Sequence, residues 1–337
     1  MMENNTGNDS MLGNMSGHSS VQPPGTSIYI PTVLYTYVLP TMAFLGFVGN
    51  IASLFAFMSK ELKNISSSVY VQGVLIADTG MLISLFFVWL EVLGYRLNHL
   101  QVMCQFLVFW QYVCSFLSVW YMVCITTENY ITICHPTRIN TMCTVPRATK
   151  VTVSLAITAL SLYIVSVFIT KPVSDPATGR DYCSVETQYK TLNTVITYID
   201  SCITLLIPAL FIILLITAIL LSIAKSIKMK KKRTANRKNK RGSSIPQVRV
   251  AKMLLCLSLT YVVLSVPSHV IKLYFLFVDV GGVIPHEAAL IQLIFLFVSY
   301  LNFSVKFILF AACSSNFRNV QFGSCISSMS YQGVIQK

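Results

Sequence analysis

Seven apolar segments, each long enough to carry a helix across a bilayer, constrain this chain more than anything else in it. About 20 residues of helix span roughly 30 Å of hydrocarbon. The runs Val33 to Met58, Ser67 to Gly94, Gln101 to Cys134, Thr149 to Thr170, Thr191 to Ala224, Arg249 to Val278 and Glu287 to Cys313 all reach that length with few charges. None alternates apolar with polar residues as a barrel strand must. An all-α fold is expected, a seven-transmembrane helix bundle at 31–313, preceded by a disordered extracellular segment at 1–30 and followed by a cytoplasmic tail at 314–337. With 54% hydrophobic residues, 11% charged ones and a mean hydropathy of +0.66, a soluble globular domain is excluded.

Short loops rich in Lys and Arg stay cytoplasmic. Nearly half of the 25 basic residues fall between Lys225 and Lys252, with no acidic residue among them, and Arg138, Arg147 and Lys150 follow the third segment. These loops are expected inside and the amino terminus outside, in a multi-pass plasma-membrane protein. The net charge of +13 is thus a topology signal facing anionic lipid, and not a nucleic-acid footprint. The polar first 30 residues lack an apolar core, so the first helix is expected to act as the insertion signal. Asn4, Asn8 and Asn14 each open an Asn-x-Ser/Thr triplet there, where glycosylation is chemically possible. Of ten cysteines, most lie in apolar segments. Cys104 and Cys183 fall on the expected outer side, where a disulfide can form.

Several short motifs occur in a fixed order. Gly49-Asn50 lies in the first segment, Leu75-Ile76-Ala77-Asp78 in the second, and Glu128-Asn129-Tyr130 ends the third, 24 residues after Cys104. Cys134-His135-Pro136 follows, Pro208 and Pro267 fall inside the fifth and sixth segments, and Asn316-Phe317-Arg318 follows the seventh. Together with the paired cysteines, this pattern resembles the rhodopsin-like G-protein-coupled receptors over about residues 30 to 325. Asn302, Ser304 and the run Lys306-Phe307-Ile308-Leu309-Phe310, with phenylalanine where the family has proline, resemble invertebrate neuropeptide receptors of the FMRFamide type. The resemblance implies a short amphipathic eighth helix after residue 313, palmitoylation at Cys325, and a disulfide between Cys104 and Cys183. It implies as partners an extracellular peptide or small-molecule ligand, a heterotrimeric G protein, arrestin and membrane lipid.

The departures are equally specific. Asn129 stands where the family has an arginine that contacts the G protein, and Ser265 where it has a tryptophan two residues before the sixth-segment proline. Glu128, Asn129 and Tyr130 form the expected G-protein face, in which Asn129 cannot make an arginine salt bridge with Glu128.

Charges at membrane depth mark function. Asp78, about 16 Å from the inner end of its helix at 1.5 Å per residue, can converge with Asn50 at about 12 Å and Lys306 at about 10 Å, with Asn302 nearby. In the family the aspartate helps to hold a sodium ion, and Lys306 replaces an uncharged asparagine. The lysine ammonium is therefore expected to take the ion's place in a built-in ion pair, the alternative being a lysine that snorkels to the inner surface.

By family position, Glu91, Gln111, Asp200, His269, Lys272, Gln292 and Tyr300 face an outward-opening cavity, an acid-and-base mixture that suits a zwitterionic or peptide ligand. Gln111 stands where amine receptors carry their aspartate, and Tyr300 where opsins carry the retinal lysine, which disfavours both roles. A chemosensory receptor, a transporter and a non-signalling binder stay open as alternatives. No enzyme, cofactor or metal is expected, since no nucleotide loop, metal cluster or hydrolytic constellation stands out.

Overall fold

A computed structural model describes residues 30–59, 62–174, 181–234, 246–278 and 286–313. Six helices among them are long and apolar enough to cross a membrane, and a bent pair makes a seventh. In chain order they are α1 (Ile30–Phe57), α2 (Ser66–Val92), α3 (Gln101–Cys134), α4 (Val145–Ile169), α5 (Thr191–Ser226), α6 (Pro246–Val278) and α7 (His286–Ser304), continued after a bend by α8 (Lys306–Cys313). A two-stranded antiparallel sheet, β1 (Thr170–Ser174) and β2 (Asp181–Val185), lies between α4 and α5. The expected eighth helix, Cys325 and the three asparagines of the amino terminus lie outside the described residues.

The bundle is apolar outside and polar within. Phe44, Phe55, Phe168 and Leu214 are each about two-thirds or more exposed, whereas Asn50, Ser53, Asp78, Ser84 and Lys306 are all at 0%. In water such a surface drives aggregation. In lipid it is the stable arrangement, because helices satisfy their own backbone and polar side chains turn inward to find partners.

Sequence chemistry sets the breaks. The last turn of α2 closes with the Gly94 N–H donating to Glu91 O at 3.0 Å and the Tyr95 N–H to Leu90 O at 3.1 Å. Gly94 makes this possible at φ 99°, a left-handed conformation that costs other residues Cβ strain. Two π-helical turns, Leu34–Val38 and Ser201–Leu206, each precede a proline by two residues, Pro40 and Pro208. Proline has no N–H to donate and crowds the carbonyl four residues back, and a wider turn relieves that crowding. At Pro40 the freed carbonyl, Thr36 O, accepts from Trp89 Nε1 at 3.3 Å.

The seventh span bends by 52° at Val305, where no proline stands. A side chain entering the backbone ladder bends a helix equally well. Asn50 Nδ2 donates to Phe303 O at 2.9 Å and Ser304 Oγ donates to Met42 O at 3.1 Å. These bonds need close approach of α1: a Cβ on Gly46 would lie 2.9 Å from Ser304 Cα, and one on Gly49 would lie 2.9 Å from Phe307 Cβ.

Apolar packing is uneven along the bundle. The largest buried cluster, with Phe57, Tyr70, Leu75, Met122, Tyr261 and Phe310, fills the end away from the β-hairpin. The hairpin end is left hollow.

Candidate functional site

At that hollow end a cavity of about 560 Å³ is lined by α2, α3, α5, α6, α7 and the hairpin. The Cys104–Cys183 disulfide, with Cα atoms 5.6 Å apart, ties β2 to the first turns of α3. Gln105 Nε2 donates to Thr170 O at 3.2 Å from the same helix, so Thr170, Ser184 and Val185 are held as a roof. An exposed ion pair, Lys171 Nζ to Glu186 Oε2 at 2.7 Å, closes the hairpin base. The hydrogen bond from Lys171 holds the Glu186 carboxyl below its ordinary range.

Of the seven residues expected around a cavity, Gln111, Asp200, His269 and Tyr300 line it. Glu91 does not. Its Oε1 accepts from the Asn98 N–H at 2.5 Å, so it organises the turn from α2 into α3. Gln292 is half-buried on α7 away from the lining, and the Lys272 side chain lies outside the described ones.

The lining includes residues that the sequence reading passed over: Tyr112, Ser115, Asn193, Ser268, Ser299 and Phe303. Behind it, Tyr163 of α4 donates from its hydroxyl to Asp200 Oδ1 at 2.6 Å. Its ring stacks on Tyr112, centroids 5.2 Å apart and planes 10° from parallel. Spacing along α3 alone signals Ser115, four residues beyond Gln111 and on the same helix face. Nothing in the sequence signals Tyr163, because which face of α4 meets α5 depends on packing.

Below the cavity lies the ionic centre. Lys306 Nζ is hydrogen-bonded and ion-paired to Asp78 Oδ2, and Ser118 Oγ donates to Asp78 Oδ1 at 2.6 Å. Phe303 joins the two compartments, since it lines the cavity and its ring centroid is 5.8 Å from Lys306 Nζ. Asn50, expected to converge with Asp78 and Lys306, hydrogen-bonds at the bend. Its amide goes to the Phe303 carbonyl at the bend, and its Oδ1 is buried with no hydrogen-bond partner among the described residues. Asn302 is buried one turn before Lys306.

At the opposite end, Glu128 Oε2 accepts from Ser66 Oγ at 2.8 Å and Ser67 Oγ at 2.5 Å. Both serines sit in the first turn of α2, where the helix dipole also favours a negative charge. Asn129 is buried, with Nδ2 unpartnered among the described residues, and Tyr130 Oη pairs with His135 Nε2 at 3.2 Å. α3 and α6 are bridged one turn further in by Thr126 Oγ1 and Ser258 Oγ at 2.8 Å. Near Pro267, Ser265 is buried in α6, as is Tyr261, whose hydroxyl has no partner among the described residues.

The family model described as 7 transmembrane receptor (rhodopsin family) matches residues 49–305. No curated protein matches the chain.

Proposed function

The chain belongs to the rhodopsin family of seven-transmembrane receptors, and from that premise we propose that it is a cell-surface receptor for a peptide ligand that signals through a heterotrimeric G protein. The Lys225 to Lys252 run then faces the cytoplasm and the hairpin end faces outward. The observation that carries this reading is the cavity: about 560 Å³, roofed by a tethered hairpin and lined by hydroxyl and amide side chains such as Gln111, Ser115 and Asn193. Such groups suit the backbone amides of a peptide end, and the volume falls in the range of ligand sites.

Transmission follows from what the cavity floor touches. A ligand pressing on Tyr300 and Phe303 displaces α7 above the bend at Val305, and Phe303 lies against the Lys306–Asp78 pair. A ligand that binds one arrangement of that joint better than the other shifts the population toward it. Opening of the cytoplasmic end then separates α3 from α6 at Thr126 and Ser258.

The test is expression in cells carrying G-protein and arrestin reporters, screened against peptide and small-molecule libraries. A peptide agonist with a G-protein response supports the reading, whereas a small-molecule agonist alone favours a chemosensory receptor. A second reading, a binding protein that does not signal, is favoured by Asn129 in the arginine position. Binding with no response, restored by Asn129→Arg, is its signature.

A further inference from the structure

We infer that the cytoplasmic end carries a weak hydroxyl latch between α3 and α6, flanked by two orphaned polar groups that favour its opening, so that the receptor signals in part without a ligand. The signalling half of this rests on the G-protein reading above. Thr126 Oγ1 and Ser258 Oγ lie 2.8 Å apart across the two helices. Asn129 follows Thr126 by three residues and Tyr261 follows Ser258 by three, and that spacing keeps side chains on one helical face. One orphan therefore lies on the cytoplasmic side of the latch and the other on the cavity side.

No charge reinforces the latch. Glu128, the one acidic residue of α3, is taken by Ser66 and Ser67, and no ion pair links α3 to α6 among the described residues. Each latch hydroxyl also reaches a carbonyl of its own helix, Thr126 to Met122 O at 2.8 Å and Ser258 to Leu254 O at 3.1 Å. A hydroxyl carries one O–H donor, so two protons serve three contacts and the bridge forms at the expense of a bond within a helix.

The orphans pull the other way. Asn129 is 1% exposed and Tyr261 2%, and neither Asn129 Nδ2 nor Tyr261 Oη has a hydrogen-bond partner among the described residues. Tyr261 belongs to the apolar cluster with Met122 and Phe310, which offers its hydroxyl nothing. A buried polar group left unpaired costs more than a typical made bond gains, and parting α6 from α3 admits water to both orphans. Among the polar groups of this seam, two favour opening and one shared hydrogen bond opposes it.

The experiment reads hydrogen–deuterium exchange in the inner halves of α3 and α6 of the purified full-length receptor in nanodiscs, beside the basal output of a G-protein reporter in cells. Tyr261→Phe and Asn129→Leu, which delete an orphan at nearly constant volume, are each expected to slow exchange there roughly ten-fold and to lower basal output. Thr126→Val, which deletes the bridge and leaves Ser258 its Leu254 carbonyl, is expected to speed exchange and raise the output. A general loss of packing would speed exchange in all three variants, so the opposed signs carry the test. Exchange in Tyr261→Phe as fast as in the parent protein, or faster, overturns the inference, and Asn129→Leu decides in the same way where Tyr261→Phe fails to fold. Exchange that moves as stated while the reporter stays silent throughout keeps the latch and overturns the signalling half.

Discussion

Lys306 and Asp78 meet as an ion pair with both side chains wholly buried, one from α2 and the other from the residue just after the bend in the seventh span. Ser118 of α3 donates to the second carboxylate oxygen. Three helices are thereby joined at one carboxylate, with the positive charge covalently supplied. Two buried charges repay their desolvation only when geometry and extra hydrogen bonds satisfy both, and the Ser118 hydroxyl is such a bond.

With the Lys306 ammonium already on Asp78 Oδ2, a mobile cation is expected to gain nothing there. Lys306→Asn exposes a carboxylate and a hydroxyl, an oxygen set that suits a small hard cation. Titration with sodium is expected to raise the melting temperature of the variant and leave that of the parent protein flat. A parent protein that responds as the variant does rules the substitution idea out.

Glu128 depends on two serines in place of an arginine. Alanine at both Ser66 and Ser67 strands a buried carboxylate, at a cost of about 1–3 kcal/mol for each lost donor. Chemical denaturation in detergent is expected to show that loss, and adding Glu128→Gln to the double variant is expected to recover part of it. An unchanged midpoint would mean that the serine contacts carry no weight.

Close approach of α1 to the bend makes Gly46 intolerant. The added methyl of Gly46→Ala meets backbone at Ser304, so a loss of about 1–3 kcal/mol from overpacking is expected. At Gly94 a Cβ meets open space, and there the cost of alanine arises from the left-handed backbone instead, about 1–2 kcal/mol. Equal melting temperatures for Gly46→Ala and the parent protein would contradict the packing.

The hairpin roof hangs on Cys183. Cys183→Ser opens a cross-link spanning 79 residues, whose loop-closure contribution is about 4.5 kcal/mol in the chain-entropy view. Ligand affinity is expected to fall further than the melting temperature implies, because the roof over the cavity is lost with the tether. Binding that survives intact in Cys183→Ser places the ligand away from β2.

Spans and depth were legible because both are one-dimensional: hydropathy marks the helices, and helical rise puts Asp78 and Lys306 at converging levels. What depends on rotation about helix axes was not. Glu91 turns to Asn98 and not to the cavity, and Tyr163 reaches Asp200 from a helix that contributes no lining residue. The bend at Val305 carries no proline to announce it, and the side chain that takes the Phe303 carbonyl there comes from α1. The strands at Thr170–Ser174 and Asp181–Val185 escaped an all-α reading because Pro172 and the charges at Lys171 and Asp181 read as loop. Antiparallel pairing with one partner and the tether to Cys104 hold them as strands nonetheless.

A double-mutant cycle on the ionic centre is the most direct measurement. Asp78→Asn and Lys306→Gln singly are each expected to destabilise by about 3–5 kcal/mol, because each leaves the opposite charge buried alone. The double variant is expected to melt well above the sum of the two losses. Strict additivity of the two would mean that the charges do not meet in the folded receptor.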